Sequence, residues 1–149
     1  MAITQAMATS FKVEILDGIH NFGVGVVRAT TAADTFKIAL YTSAANLDAT
    51  TTVYTTSGEV VGTGYTAGGN TLAVSVVPVS SGTTAYLSFT NSSWSTATIT
   101  ARGAMIYNSS QGDKCVAVLD FGADKVSTAG TFTIVFPTAA AGTAIIQIA

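Results

Sequence analysis

The sequence predicts a mainly β protein: a single-domain β-sandwich or jelly roll of about eight or nine strands with a short N-terminal helix and an extended arm. Three observations lead to this prediction. Apolar and polar residues alternate over several short segments. Gly, Asn, Asp and Ser clusters separate those segments at short intervals. Only 9% of the 149 residues are charged, against roughly 25% in an ordinary soluble domain, so Thr and Ser supply most of the polar surface.

Residues 1–22 differ in pattern from the rest, which divides the chain into 1–22 and a β-sandwich domain at 23–149. Residues 1–8 lack periodicity and predict an arm that we expect to reach beyond its own domain. Thr9 or Ser10 can cap a helix. Apolar residues then follow at spacings of four, four and three: Phe11, Ile15, Ile19 and Phe22. This stripe predicts a short amphipathic helix that packs on the sandwich or on a neighbouring subunit.

The first half of the domain predicts short strands. Residues 35–41 alternate and predict a half-buried strand, whereas residues 59–65 predict only a weak strand because glycines interrupt them. Residues 72–76 alternate up to Pro78, which suits an edge strand or a strand end. After a turn at 80–82, residues 85–89 form the next predicted strand.

The second half predicts longer strands. Residues 97–107 form the longest one, with a bulge where the alternation fails at Arg102 and Gly103. Residues 115–121 are apolar on both faces, which is typical of a central strand, and 132–136 and 145–148 follow. Together these strands predict a core of Phe36, Ile38, Leu40, Val74, Leu119, Phe121, Phe132, Ile134 and Phe136.

Candidate catalytic and metal-binding residues are few. His20 is the only histidine, and we interpret it as a packed or solvated side chain because no triad pattern surrounds it. Cys115, the only cysteine, is in phase with an apolar strand face and is predicted to be a core residue. Asp120 and Asp124 flank a turn and could reach a hard cation together, although turn chemistry is the commoner role. We therefore predict a protein that is not an enzyme, with no catalytic residue, metal or cofactor.

Trp94 lies in a Ser-rich stretch and allows two interpretations. It can stack on a sugar or anchor an interface, or it can plug one end of the core, which ordinary burial tendencies favour. The six Lys and Arg residues are scattered, which argues against nucleic acid as a partner. No apolar run is long enough to span a membrane, and residues 1–10 do not have the pattern of a secretory signal.

Four strings in order along the chain carry a family resemblance: DTFKIALYT at 34–42, GTGYTAGG at 62–69, ARGAMIYN at 101–108 and AVLDFG at 117–122. Together they resemble a family of small structural proteins of tailed bacteriophages. The resemblance implies a virion component on the capsid surface, made in the host cytoplasm. It further implies a capsid decoration (cement) protein that binds and stabilises the assembled head as a homo-oligomer. Its expected partners are the major capsid protein and neighbouring copies of itself.

The predicted protein interface consists of Ile3, Met7, Phe11, Ile15, Ile19 and Trp94. The alternative function is a tail-fibre or receptor-binding module that recognises a host-surface glycan. Its stacking platforms would be Trp94 with Tyr54, Tyr65 or Tyr107. Copy number separates the two functions, because icosahedral symmetry places on the order of hundreds of decoration subunits on a particle but few fibres.

Overall fold

The computed structural model describes residues 2–8, 10, 11, 15, 18–24 and 33–149. Over these residues the chain is mainly β, with two antiparallel sheets, which confirms the predicted class and is consistent with a β-sandwich. The strands of the described residues are β1 (Ala6–Met7), β2 (Phe36–Tyr41), β3 (Asn70–Leu72), β4 (Val74–Ser81), β5 (Thr84–Phe89), β6 (Ser92–Asn108), β7 (Lys114–Ile134) and β8 (Ile146–Ile148).

The larger sheet has the order β1-β7-β6-β2-β3 and is built around one long hairpin. In that hairpin, Asn108 of β6 pairs with Lys114 of β7 next to the turn, and Ser92 pairs with Ile134 at the far end. β2 pairs with β6 only from residue 103 to residue 108. β1 pairs with β7 only at residues 117 and 118. The half of the hairpin near the turn therefore has strands on both sides, and the other half does not.

The smaller sheet has the order β4-β5-β8. The chain passes between the two sheets three times, from β3 to β4, from β5 to β6 and from β7 to β8. Thr90 N donates to Ala73 O at 2.9 Å, which links the first two of these connections. Pro78 lies in β4, an edge strand, as its missing N–H predicts. The rings of Phe36 and Phe89 are 6.1 Å apart across the two sheets, so both sheets share one core.

The predicted core is largely confirmed. Its members are buried except Val74 and Phe121, which are partly buried against the same cluster. β2 was expected to be half-buried, yet only Lys37 among its residues keeps intermediate exposure. The reason is the 42–69 segment, which packs along β2: Val60 N donates to Leu40 O at 2.9 Å.

Two strand predictions are wrong. Residues 59–65 form isolated bridges to Tyr41 and Thr98 but no strand. Residues 115–121 and 132–136 were predicted as separate strands, yet β7 runs continuously from Lys114 to Ile134. It does so because the long partner strand β6 keeps pairing with it across the irregular residues between them.

The arm also differs from expectation, because residues 2–8 lie along their own sheet. Thr4 N donates to Leu47 O at 3.0 Å, and Ala8 N donates to Val116 O at 3.2 Å. The unpaired backbone groups of β7 favour such a partner, and a two-residue strand has too few residues for a recognisable alternation. The predicted helix falls on a stretch in which residues 9, 12–14, 16 and 17 lie outside the described residues.

Candidate protein-interaction surface

β7 has a strand neighbour on only one side for most of its length. The arm ends its contact where Gln5 Oε1 accepts a hydrogen bond from Asp120 N at 3.3 Å. From residue 121 to residue 134, β6 is the only strand that pairs with β7 within the described residues. We call residues 121–134 the free edge. Unpaired backbone groups of this kind are a template for another strand.

A bulge marks the beginning of the free edge. Residues 121–124 lie opposite the single residue Arg102, because Ala101 pairs with Lys125 and Gly103 with Asp120. The register shift confirms the predicted irregularity at 102–103 and places the extra residues in β7. Gly122 at the bulge has a positive φ of 76°, a conformation that glycine adopts without steric cost.

Asp120 holds this bulge together. Its Oδ1 accepts hydrogen bonds from Gly122 N at 2.9 Å and from Arg102 Nε at 3.1 Å. The Gly122 N–H and then the Arg102 guanidinium lower the pKa of the Asp120 carboxyl below its usual range. The carboxylate thus serves the turn, in agreement with the commoner of its two predicted roles. Among the described residues, no three His, Cys, Asp or Glu side chains come together in a way that could hold a metal ion.

A groove of about 430 Å³ lies beside the free edge. Its apolar walls include the rings of Phe121 and Phe132, whose centroids are 6.4 Å apart, and the side chain of Val135, which is 71% exposed. Lys125 is the only charged residue that lines it. No carboxylate of the described residues forms an ion pair with Lys125. The groove therefore combines open backbone, apolar walls and one cationic side chain.

The solvent-facing side chains of this half of the hairpin are nearly all uncharged. Val126 is 68% exposed and lines a shallow depression of about 260 Å³ together with Val61 and the threonines Thr98 and Thr100. Further along, Ser93 Oγ and Thr133 Oγ1 hydrogen-bond at 2.8 Å. Such a surface loses little hydration energy when another protein surface covers it, because Asp124 and Lys125 are the only charged residues among residues 121–134.

The six predicted interface residues are not brought together on one open surface. Ile3, Phe11 and Trp94 are buried, and Met7, Ile15 and Ile19 are partly buried. Their side chains are engaged within the chain itself, and a role for them between subunits stays a prediction.

Trp94 lies in β6 rather than in a loop, and it is only 4% exposed. Its ring is 6.1 Å from that of Phe132 and 6.0 Å from that of Tyr65. The interpretation of Trp94 as a plug of the core is confirmed. As a stacking platform for a sugar it is not accessible.

Glu59 is a buried carboxylate, 7% exposed, that the sequence pattern did not predict. Tyr54 Oη donates to Glu59 Oε2 at 2.6 Å, and Tyr65 Oη and Gly68 N donate to Oε1 at 2.6 and 2.7 Å. Tyr65 Oη in turn accepts from Leu40 N at 2.9 Å. The network fastens the 42–69 segment to β2. The available signal was a lone glutamate between two tyrosines in a segment that is poor in charge.

This network also changes the ionisation of its tyrosines. Burial, followed by the hydrogen bond to the Glu59 carboxylate, raises the pKa of Tyr54 and of Tyr65 well above the usual range. Burial, with the negative charges of Asp113 and Glu59, raises the pKa of Tyr107 to about 12. All three hydroxyls are therefore neutral hydrogen-bond donors at ordinary pH.

His20 belongs to a second polar cluster. Its ring packs edge-on against Phe11 at 4.8 Å, and its Nδ1 lies 2.9 Å from Nδ2 of the buried Asn108. Asn108 Nδ2 also donates to Asp34 Oδ2 at 2.8 Å. The packed interpretation of His20 is confirmed, and the cluster connects residues 20–34 to the end of β6. Cys115 is buried in the core, as predicted.

Comparison of the chain with protein-family models, with curated proteins and with solved structures finds no match. The resemblance to phage structural proteins therefore rests on the four strings alone. Of the residues that the structure describes, none belongs to a helix long and apolar enough to cross a membrane.

Proposed function

We propose that this chain is a capsid decoration protein of a tailed bacteriophage, which binds the assembled head and stabilises it. In this proposal it is not an enzyme, and it acts as a homo-oligomer that contacts the major capsid protein and neighbouring copies of itself. Its fold is a single-domain β-sandwich with a short N-terminal helix and arm. The observation that carries the proposal is the half of the β6–β7 hairpin whose outer edge is unpaired within the described residues and whose face has few charges.

Binding to the assembled shell stabilises that shell by thermodynamic linkage. A protein that binds the assembled shell and not the free subunits shifts the equilibrium toward the shell. Two strands of about 12 residues present roughly 380 Å², whereas a stable interface needs about 800 Å² from each partner. A single such contact is therefore weak. Many copies bound side by side on one particle reinforce one another, because linked contacts act at high effective concentration.

The glycan-binding alternative loses its main platform in this structure. Trp94 is buried, and the hydroxyls of Tyr54 and Tyr65 are committed to Glu59. The ring of Tyr107 is buried as well, and it stacks on that of Tyr54 at 4.8 Å. We therefore retain this alternative only as an outcome of the test.

The test uses particles of the encoding phage that are assembled without this chain. Purified protein is added, its copy number per particle is measured by quantitative mass spectrometry, and the temperature of head disruption is recorded. We expect on the order of hundreds of copies and a higher disruption temperature.

Val126→Lys places a charge on the proposed surface and should lower occupancy. Val77→Lys makes the same change on the smaller sheet, where Val77 is 44% exposed, and serves as the matched control. A few copies confined to the tail would favour the receptor-binding alternative. No association with any part of the particle would overturn the proposal.

A further inference from the structure

We propose that the groove beside the free edge binds an extended peptide segment of a partner protein by strand addition. The segment carries alternating apolar side chains and one carboxylate. This inference deepens the proposed function and rests on it for the partner's identity as a capsid subunit. The chemistry of the groove itself comes from the geometry of β7.

Residues 132–134 offer the most regular stretch of backbone on the free edge. There β7 keeps a regular register with β6: Phe132 pairs with Trp94, Thr133 with Ser93 and Ile134 with Ser92. Because a strand directs its N–H and C=O groups alternately to its two sides, part of these groups faces the side without a strand. An added strand satisfies them with main-chain hydrogen bonds, which supply affinity in strand addition.

The rest of the free edge is too irregular for a long added strand to pair with it. The bulge at 121–124 and the register shift between Ser127 and Gly130, where Ala129 has a positive φ of 48°, interrupt regular pairing. Natural sheets use bulges and charged residues to prevent indiscriminate edge-to-edge association. The short open stretch at 132–134, which follows both interruptions, selects a short segment rather than a long strand of any sequence.

The apolar walls of the groove favour apolar side chains in the segment. Alternate residues of an added strand point to the same face, so one set of its side chains would lie on the side of the exposed Val135 and the other set on the side of Phe121 and Phe132. Val135 is 71% exposed, whereas its neighbours Ile134 and Phe136 are buried. Covering this side chain removes apolar surface from water, which favours an apolar partner side chain.

The charge of the groove favours one acidic residue in the bound segment. Lys125 is the one charged residue of the lining, and no described carboxylate pairs with it. A basic segment would be repelled at this position, and a neutral one would leave the ammonium group partly desolvated. A single Asp or Glu in the segment pairs with it. The groove thus specifies an extended apolar segment with one acidic residue.

The test presents the immobilised full-length chain with a ribosome-displayed library of random peptides of about eight residues, the length of a typical strand. We expect enrichment of peptides with alternating apolar residues and one Asp or Glu. Val135→Lys should weaken binding of an enriched peptide by roughly tenfold or more. Val77→Lys, outside the groove, should leave it unchanged. The inference is overturned if no peptide is enriched. It is also overturned if an enriched peptide binds equally to the wild type, Val135→Lys and Val77→Lys.

Lys125→Glu tests the charge argument. Selection against this variant should enrich peptides with Lys or Arg in place of the acidic residue, because the charge of the groove is reversed. Unchanged selection of acidic peptides overturns the assignment of Lys125.

Strand addition itself is tested by methylating the backbone nitrogens of an enriched peptide one at a time. Methylation should abolish binding at alternate residues, whose N–H groups face β7, and should have little effect at the residues between them. Equal effects at every residue would contradict strand addition.

Occupancy on phage particles separates the two proposals. Full occupancy by Lys125→Glu with no peptide selection by the wild-type groove leaves the decoration function standing and overturns the groove. Peptide selection by the wild-type groove without any association with particles supports the groove and overturns the decoration function.

Discussion

The two halves of the β6–β7 hairpin belong to the same pair of strands but have opposite surroundings. Near the turn, residues 104–108 of β6 and 115–119 of β7 are buried throughout, with β2 on one side and β1 on the other. Beyond Asp120, most of β7 is exposed and its outer edge is unpaired within the described residues. The difference teaches that strands on both sides accompany continuous burial, whereas the far half keeps only part of its residues buried. The far half is connected to the core through continuous strands.

The largest expected effect contrasts a side chain from each half. Ile106→Ala, in the buried half, should lower the free energy of unfolding by about 2–5 kcal/mol, because it removes packed atoms and leaves a cavity. Val126→Ala, in the exposed half, should change it by no more than about 0.5 kcal/mol. Urea denaturation of both variants measures the difference. Equal losses would mean that the two halves are packed alike.

A second prediction contrasts two glycines. A Cβ on Gly103 would collide with Leu119 O and crowd the side chain of Ile3, so Gly103→Ala should cost roughly 1–3 kcal/mol. A Cβ on Gly130 would meet Ser127 Oγ at an ordinary 3.4 Å, so Gly130→Ala is the matched control and should be nearly neutral. Thermal unfolding compares them. A tolerated Gly103→Ala would contradict the close approach of β7 and the arm in the buried half.

A third prediction concerns the Glu59 network, which holds the 42–69 segment over the buried half. Glu59→Gln should destabilise the fold by roughly 1–3 kcal/mol, because the amide nitrogen replaces an acceptor and leaves a tyrosine hydroxyl or an N–H group unpaired. Tyr65→Phe combined with Glu59→Gln should cost less than the sum of the two single changes, since they share one hydrogen bond. Strict additivity in denaturant titrations would show that the contact does not couple them.

The smallest effect is expected at Asp120, where the two halves meet. Its folded pKa is lowered, chiefly by the Gly122 N–H and then by Arg102. The ionised carboxylate therefore stabilises the fold above the unfolded pKa of about 3.9, and this stabilisation is lost as the pH falls through the folded value.

The difference in stability between the wild type and Asp120→Asn should accordingly shrink as the pH is lowered below about 4. Arg102→Gln should retain part of the pH dependence, because the Gly122 N–H still binds the carboxylate. The check is denaturation of all three proteins over a series of acidic pH values. A difference that stays constant with pH would assign the effect of Asp120→Asn to something other than ionisation.

Sequence reasoning reached the parts of the molecule that depend on local pattern. The alternation of Phe36, Ile38 and Leu40 predicts β2, and the broken alternation at Arg102 predicts the bulge. It failed where distant residues decide. The 59–65 segment has strand-like residues but is held by the Glu59 carboxylate and isolated bridges instead. The groove beside Val135 was not predicted either, because its walls come from residues on both sides of a bulge.

By itself, the sequence determined the mainly β class, most of the core and the scarcity of charge, because period-two alternation and composition act through local burial. Only the tertiary structure decided which strand edge stays open and which apolar residues are already covered. Ile3, Phe11 and Trp94 looked available for partners but are buried in their own chain, whereas Val126 and Val135 are exposed. The physical reason is that exposure depends on which distant segments cover a residue, and the packing and pairing of distant segments do not follow from local pattern.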